Sequence, residues 1–238
     1  AFMLRALAHK NYRLFFTGQS ISLIGTWMTR IATSWLVYRL TGSAFLLGIV
    51  GFAGQIPSFL LAPFAGVLVD RWNRHRLLVI TQVLALLQSL AMAVLTLTGV
   101  IKTRHIILLS VFQGLINAFD MPARQAFVVE MVEKREDLAN AIALNSSMVN
   151  AARLIGPSVG GVVIAAIGEG WCFMIDALSY IAVIASLLAM TLTARMIQPI
   201  REANIFQQLR EGWNYAARFA PIRDILLLIG LVSLVGMP

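Results

Sequence analysis

Five ionisable side chains interrupt long apolar stretches of this sequence. They are Arg30, Asp120, Arg124, Arg153 and Asp176. A charge at the centre of a bilayer costs at least about 2.5–3.5 kcal/mol, so such residues are candidates for binding a solute or relaying protons. Uncharged polar side chains accompany them in the same stretches, namely Gln113, Asn117, Asn145 and Asn150. Together they predict a water-filled cavity within an apolar protein.

A second interpretation of the same charges is structural. Asp120 and Arg124 are four residues apart, which places them on one face of a helix. They would then form a fixed ion pair, and Arg30 with Asp176 would form another that locks two helices together. Pro122 lies between Asp120 and Arg124, and the backbone carbonyl that it leaves unbonded predicts a kink beside the charges. From the sequence both interpretations stay open.

We predict that transmembrane helices carry these residues. Hydrophobic residues make up 59% of the 238 and charged residues 13%, with a mean hydropathy of +0.80. A soluble domain has about 25% charged residues. The apolar runs are continuous and long enough to cross a hydrocarbon core, which takes about 20 helical residues. The predicted class is an all-α polytopic membrane protein.

The predicted chain has a lead, a bundle of six helices, a connector and part of a seventh helix. The helices are expected over residues 14–37, 44–69, 77–100, 105–130, 138–167 and 171–194. Residues 1–13 form the lead. Residues 195–224 are polar with apolar side chains at helical spacing, which predicts an amphipathic helix on the membrane surface, with a plain linker as the alternative. The 14 apolar residues of 225–238 would reach about 21 Å, so we expect a seventh helix that is cut short.

The distribution of basic residues predicts the orientation. The face with the N-terminus carries fourteen Lys and Arg residues, in segments 1–13, 70–76, 124–137 and 195–223, against three on the other face. Cytoplasmic loops carry the excess of Lys and Arg. The N-terminus is therefore expected in the cytoplasm, and the net charge of +8 needs no nucleic-acid partner.

The segment Gly66–Arg76, GVLVDRWNRHR, forms a charged corner between two apolar runs. Its pattern resembles the loop 2–3 signature of the major facilitator superfamily, with Asn73 where a second glycine is usual. The matching positions are Gly66, Asp70, Arg71, Arg74 and Arg76. In that family the loop Asp and Arg pair with an acid at the cytoplasmic end of helix 4 and lock the outward-facing state. Glu130 matches that acid by position.

The fifth predicted helix contains a second motif that is similar to the antiporter signature of the same superfamily. Its residues are Gly156, Pro157, Gly160 and Gly161. The segments DMPARQAFVVEMV and LNSSMVNAARLIGPSVGG most resemble the enterobactin-exporter-like branch of efflux proteins. Small residues let helices approach closely, and the proline weakens the local hydrogen bonding. The motif is expected to act as a bending gate or, alternatively, as tight static packing.

The resemblance implies the first six-helix half of a superfamily transporter, built as a 3+3 inverted repeat in the bacterial inner membrane, without a cofactor. It implies a secondary active exporter of drugs, siderophores or other small amphipathic molecules that works by alternating access. Protons or another ion would drive it, although Ser110 occupies the position of the usual helix 4 arginine. A lysophospholipid flippase and a non-transporting receptor or scaffold are the alternatives.

An enzyme is not expected. The three histidines lie at helix ends, which leaves no buried histidine metal site. The sequence also has neither a nucleotide-binding loop nor a nucleophile elbow.

Overall fold

The computed structural model describes residues 2–132, 135–191, 219, 221–225, 227–228 and 231. Two compact units are present, Ala1–Met196 and Ile197–Pro238. The first unit holds every candidate site residue, and its described part contains helices and no strand. The short 3-10 helix Phe2–Ala8 precedes six long helices. These are α1 Lys10–Thr41, α2 Ala44–Arg71, α3 Arg74–Leu97, α4 Thr103–Met131, α5 Arg135–Ile167 and α6 Glu169–Leu188.

The six helices match the six that the apolar runs predict, with differences at their ends. The helix α1 begins four residues before the predicted start, so it includes part of the predicted lead. The largest error concerns α6, which was expected to reach residue 194 and ends at Leu188, with Ala189 as its C-cap. Apolar residues continue past Leu188, and hydropathy alone cannot distinguish a helical segment from an apolar one that leaves the helix.

Five of the described helices are long and apolar enough to cross a membrane. They are Ala44–Arg71, Arg74–Leu97, Thr103–Met131, Glu136–Ile167 and Glu169–Leu188. The helix α1 is equally long, but Ser, Thr, Gln and Arg residues along it lower its hydropathy. It nevertheless packs along α5 and α6 within the same bundle. The chain is therefore a multi-pass membrane protein.

The packing of the helices follows a repeat. The helix α1 packs against α5 and α6, α4 packs against α2 and α3, and α3 packs against α6. The same set of neighbouring pairs results when α1 is exchanged with α4, α2 with α5 and α3 with α6. That is the pattern of two three-helix repeats, as transporters with internal repeats show.

Two clusters of buried side chains hold the opposite ends of the bundle. At the end with the N-terminus, Tyr12, Phe127 and Leu187 belong to a cluster that joins α1, α4 and α6. At the other end, Leu36, Ile106 and Phe173 join the same three helices. The helices α2, α3 and α5 also contribute to both clusters from their opposite ends, so each helix runs antiparallel to the next one along the chain. The corner between α2 and α3 lies at the N-terminal end.

The predicted amphipathic connector and seventh helix fall mostly outside the described residues. Within Ile197–Pro238, the residues 221–225, 227–228 and 231 are helical. The apolar side chains on which the amphipathic prediction depends are among those not described. Both remain predictions.

Candidate latch and transport cavity

The charged corner brings three ionised side chains together. The guanidinium of Arg74 donates to Glu130 on α4 at 2.5 Å and to Asp70 on α2 at 3.0 Å. Because Arg74 is the first residue of α3, a single side chain connects three helices. All three groups are partly exposed, with side-chain exposures of 26% for Arg74, 59% for Asp70 and 34% for Glu130. We call Asp70, Arg74 and Glu130 the latch cluster.

The backbone of the corner is tight but unstrained. Only Trp72 and Asn73 separate α2 from α3. Asn73 is the N-cap of α3, and its side-chain oxygen accepts from the backbone N–H of Arg76 at 2.9 Å. Its φ of −67° is not left-handed, so the backbone at this position does not require glycine. Asn73 caps α3 instead, and Asn is among the residues preferred for capping.

The remaining corner residues contribute less to this geometry. Arg76 is exposed, and Arg71 is the last residue of α2. Gly66 lies inside α2, and among the described atoms none would lie within 4 Å of a Cβ placed there. Its glycine is therefore not required by packing within the described part of the chain.

Asp120 and Arg124 form an ion pair within α4. The Asp120 side chain is 5% exposed and that of Arg124 22% exposed. The second carboxylate oxygen of Asp120 accepts from Thr81 and Gln82 of α3, each at 2.8 Å. Asp120 is therefore bonded on both oxygens, as a buried carboxylate must be to offset its loss of hydration. The helix α4 continues through Pro122.

The second predicted ion pair, between Arg30 and Asp176, is not among the ion pairs of the described residues, so that prediction is wrong. Asp176 is 2% exposed and accepts from Ser89 of α3 at 2.7 Å. A Cβ at Gly25 would come within 2.7 Å of an Asp176 carboxylate oxygen. The glycine thus lets α1 pack over this carboxyl group.

Arg30 lies instead over an aromatic ring. Its guanidinium carbon is 5.2 Å from the centroid of Trp27, and that of Arg153 is 5.4 Å from the same centroid. Both distances are within the range of a cation–π contact. Trp27 was not predicted from the sequence as a site residue. Its spacing of three from Arg30 was the available signal, because residues three apart share a helix face.

The helix 5 motif fixes the contact between α5 and α1. A Cβ at Gly156 would come within 2.4 Å of the Trp27 Cβ, and one at Gly160 would come within 3.1 Å of Met28. Gly161 has no described atom within 4 Å of such a Cβ. The helix α5 continues through Pro157. This geometry favours the tight-packing interpretation for Gly156 and Gly160, while bending of the helix stays a hypothesis.

A cavity of about 510 Å³ opens between α2 and α4. Its polar lining is uncharged, and its apolar lining includes an aromatic ring and a thioether. The lining residues are Gln55, Ser58, Phe59, Ala62, Asn117, Ala118, Met121, Pro122 and Gln125. None of the residues predicted to line a cavity lies on α2, so the contribution of this helix was missed. The signal was present, since Gln55 and Ser58 interrupt an otherwise apolar helix.

The other predicted polar candidates lie along α4 and α5. Gln113 donates to Asn117 at 3.1 Å, so one turn of α4 presents paired amides. Asn150 donates to the backbone of Ser146 within α5. The structure thus places several of the candidates in three separate sites. Asn117 lines the cavity, Asp120 with Arg124 lies in the interface of α3 and α4, and Arg30 with Arg153 lies at Trp27.

A family model described as transmembrane secretion effector matches residues 2–235. The chain belongs to the major facilitator superfamily. This confirms the family that the corner and helix 5 motifs indicate, together with the all-α membrane fold.

Among characterised superfamily relatives, the staphyloferrin A transporter of Staphylococcus aureus is 28% identical over 225 residues, 94% of this chain and 56% of its own length. The multidrug efflux pump Tap of Mycolicibacterium fortuitum is 32% identical over 148 residues, 60% of this chain and 36% of its own. The enterobactin exporter EntS of Salmonella choleraesuis is 24% identical over 226 residues, which are 95% of this chain and 54% of its own length. The chain thus spans about half the length of the relatives that it matches along nearly all of its sequence. It is a superfamily transporter sequence with efflux proteins among its relatives.

Proposed function

We propose that this chain forms the first half of an exporter of small amphipathic molecules, which works by alternating access and is driven by an ion gradient, with protons as the coupling ion. The observation on which this rests is the latch cluster. One arginine bridges the end of α2, the start of α3 and the end of α4 through two carboxylates. Such a cluster can hold one arrangement of the helices and release it when one contact breaks.

The position of the cluster supports this role. It lies at the end of the bundle that holds the N-terminus, where basic residues predict the cytoplasm. Exposed ion pairs contribute only about 0–1 kcal/mol each. A contact of that size can bias two conformations of similar free energy without fixing either of them. Closure of the cytoplasmic end is the step that we assign to it.

The cavity between α2 and α4 supports an amphipathic substrate. Its amides offer hydrogen bonds, while Phe59 and Met121 offer apolar contact. A volume of about 510 Å³ falls within the range of small-molecule sites, about 300–1,000 Å³. The efflux proteins among the relatives favour export over uptake, and the inner membrane of a bacterium is the proposed location.

The test is transport by the full-length protein in proteoliposomes, with and without an imposed pH gradient, against a panel of amphipathic dyes. We expect dye movement that requires the gradient. Arg74→Ala and Glu130→Gln should each reduce it severalfold while insertion stays normal, and Arg76→Ala serves as the control in the same turn. Wild-type transport by both latch variants would refute the latch. Gradient-independent transport would refute the coupling, and movement of lysophospholipid without dye would favour the flippase.

A further inference from the structure

We propose that Arg30, Trp27 and Arg153 form a binding site for the anionic group of an amphipathic organic ligand, at the contact between α1 and α5. The proposal deepens the proposed export function, on which it rests for its biological meaning, by naming the charge class of the substrate. It concerns a different part of the bundle from the cavity between α2 and α4.

The geometry brings the two cations to one ring. Both guanidinium carbons lie within 5.4 Å of the Trp27 centroid. The distance between the two guanidinium carbons therefore cannot exceed twice that value. Arg30 follows Trp27 by one helical turn on α1. Arg153 precedes Gly156 by one turn on α5, and the missing side chain of Gly156 admits the Trp27 Cβ. One close helix contact therefore positions all three side chains.

The charge of this site is not compensated by the described residues. Arg39, Arg74, Arg124 and Arg223 each form an ion pair with a carboxylate. Neither Arg30 nor Arg153 has a carboxylate partner in the described ranges, and both side chains are exposed there. Both lie near the middle of helices of 32 and 33 residues. Two cations at that depth require water or an anion.

The indole gives the two like charges a shared partner. A cation over an aromatic face is attracted by the ring quadrupole. That contact uses the face of the guanidinium and leaves its N–H groups at the edge available, since arginine presents five donors in one plane. A ligand carboxylate or sulfonate can accept two of these donors in parallel. The half-buried indole offers apolar contact to the body of the same ligand.

The contrast with Arg124 supports a ligand over a structural role. Arg124 is compensated within its own helix by Asp120, whose remaining oxygen is bonded to α3. Among the described residues Arg30 has no carboxylate partner, and Asp176 accepts from Ser89. Of these two arginine sites, only the one at Trp27 lacks a described anion.

The test uses two fluorescent probes that differ by one anionic group. These are 8-anilinonaphthalene-1-sulfonate and its uncharged analogue N-phenyl-1-naphthylamine. Each is titrated with the purified full-length protein in uncharged detergent, with the micelle signal subtracted. We expect Arg30→Gln and Arg153→Gln each to weaken binding of the sulfonate about tenfold, as the loss of a charged hydrogen bond predicts. Binding of the uncharged probe should change less than twofold.

Arg104→Gln, at the start of α4, is the matched control and should leave both probes unchanged. Equal weakening of both probes, or unchanged sulfonate binding in the double variant, would overturn the proposal. If the Gln variants do not remain monodisperse, Arg30→Lys and Arg153→Lys replace them. These retain the charge and should retain the preference for the sulfonate, and loss of that preference would equally overturn the site.

Two further measurements identify the source of the anion and distinguish failure of this site from failure of the export proposal. Displacement of the bound sulfonate by 2-naphthoate identifies a free organic anion, and displacement only by lysophosphatidylglycerol identifies a lipid headgroup. In proteoliposomes, gradient-driven transport of uncharged dyes with no arginine-dependent binding of the sulfonate would leave export standing and refute this site. Arginine-dependent binding without transport would refute export and leave this site standing.

Discussion

The contact of α1 with α5 and the contact of α2 with α4 are equivalent in the repeat, and they differ in chemistry. Each depends on a glycine that brings two backbones together, Gly156 against Trp27 in one and Gly114 against Gly54 in the other. Beside Gly156 lie two arginines and an indole. Beside Gly114 lies an uncharged cavity, and Ser58 donates to the Gly114 carbonyl at 2.7 Å.

This difference shows that the repeat determines where helices meet, while individual side chains determine what can bind there. Next to the cavity residues Met121 and Gln125 of α4, the charge of Arg124 is neutralised by Asp120. Charge at the α1–α5 contact has no described counter-ion. We infer that the first contact is suited to uncharged groups and the second to an anionic group, and four experiments test this difference.

The largest effect is expected from Asp120→Asn. It leaves Arg124 partly buried without its carboxylate, and breaking a buried pair costs about 3–5 kcal/mol. The protein yield and the unfolding midpoint in detergent should fall together. Adding Arg124→Gln should recover part of the loss. A well-folded Asp120→Asn protein with altered substrate tolerance or pH dependence of efflux would instead assign the pair a direct role in transport.

Alanine at the two contact glycines comes next. A Cβ at Gly156 would lie 2.4 Å from the Trp27 Cβ, and one at Gly114 would lie 2.5 Å from the Gly54 carbonyl oxygen. Forcing packed helices apart costs about 1–3 kcal/mol, so both variants should lower the unfolding midpoint by similar amounts. Gly161→Ala is the control because no described atom lies near its Cβ. A loss at only one contact would show that the two are not mechanically equivalent.

Arg74→Ala should have a smaller effect on stability. Its two ion pairs are partly exposed, and such pairs contribute at most about 1 kcal/mol each. The unfolding midpoint should change little, whereas transport in proteoliposomes should fall severalfold. A loss of stability as large as that of Asp120→Asn would make this cluster a structural clamp rather than a latch.

The smallest change in stability is expected from Arg30→Gln and Arg153→Gln. Exposed substitutions that break no ion pair usually stay within about 0.5 kcal/mol. Thermal unfolding of the full-length protein in detergent measures this directly. A drop of several kcal/mol would reveal a carboxylate partner elsewhere in the protein, and the contrast with Arg124 would then disappear.

The helices, and the contacts within a single helix, could be predicted from the sequence alone. Long apolar runs required membrane-spanning helices, because a bilayer leaves a continuous backbone few other ways to satisfy its hydrogen bonds. Asp120 and Arg124 could be paired in advance because a spacing of four places two side chains on one face. The placement of Glu130 came from a family pattern, and the structure sets it against Arg74.

Tertiary structure alone decided which helix faces meet. Arg153 is far from Trp27 in the chain, and only the approach of α5 at Gly156 brings it to the indole. The same applies to the cavity between α2 and α4, and to Asp176, which bonds to Ser89 rather than to Arg30. Contacts between helices depend on their relative rotation and axial position. Those follow from close packing at small residues, which apolar periodicity does not record.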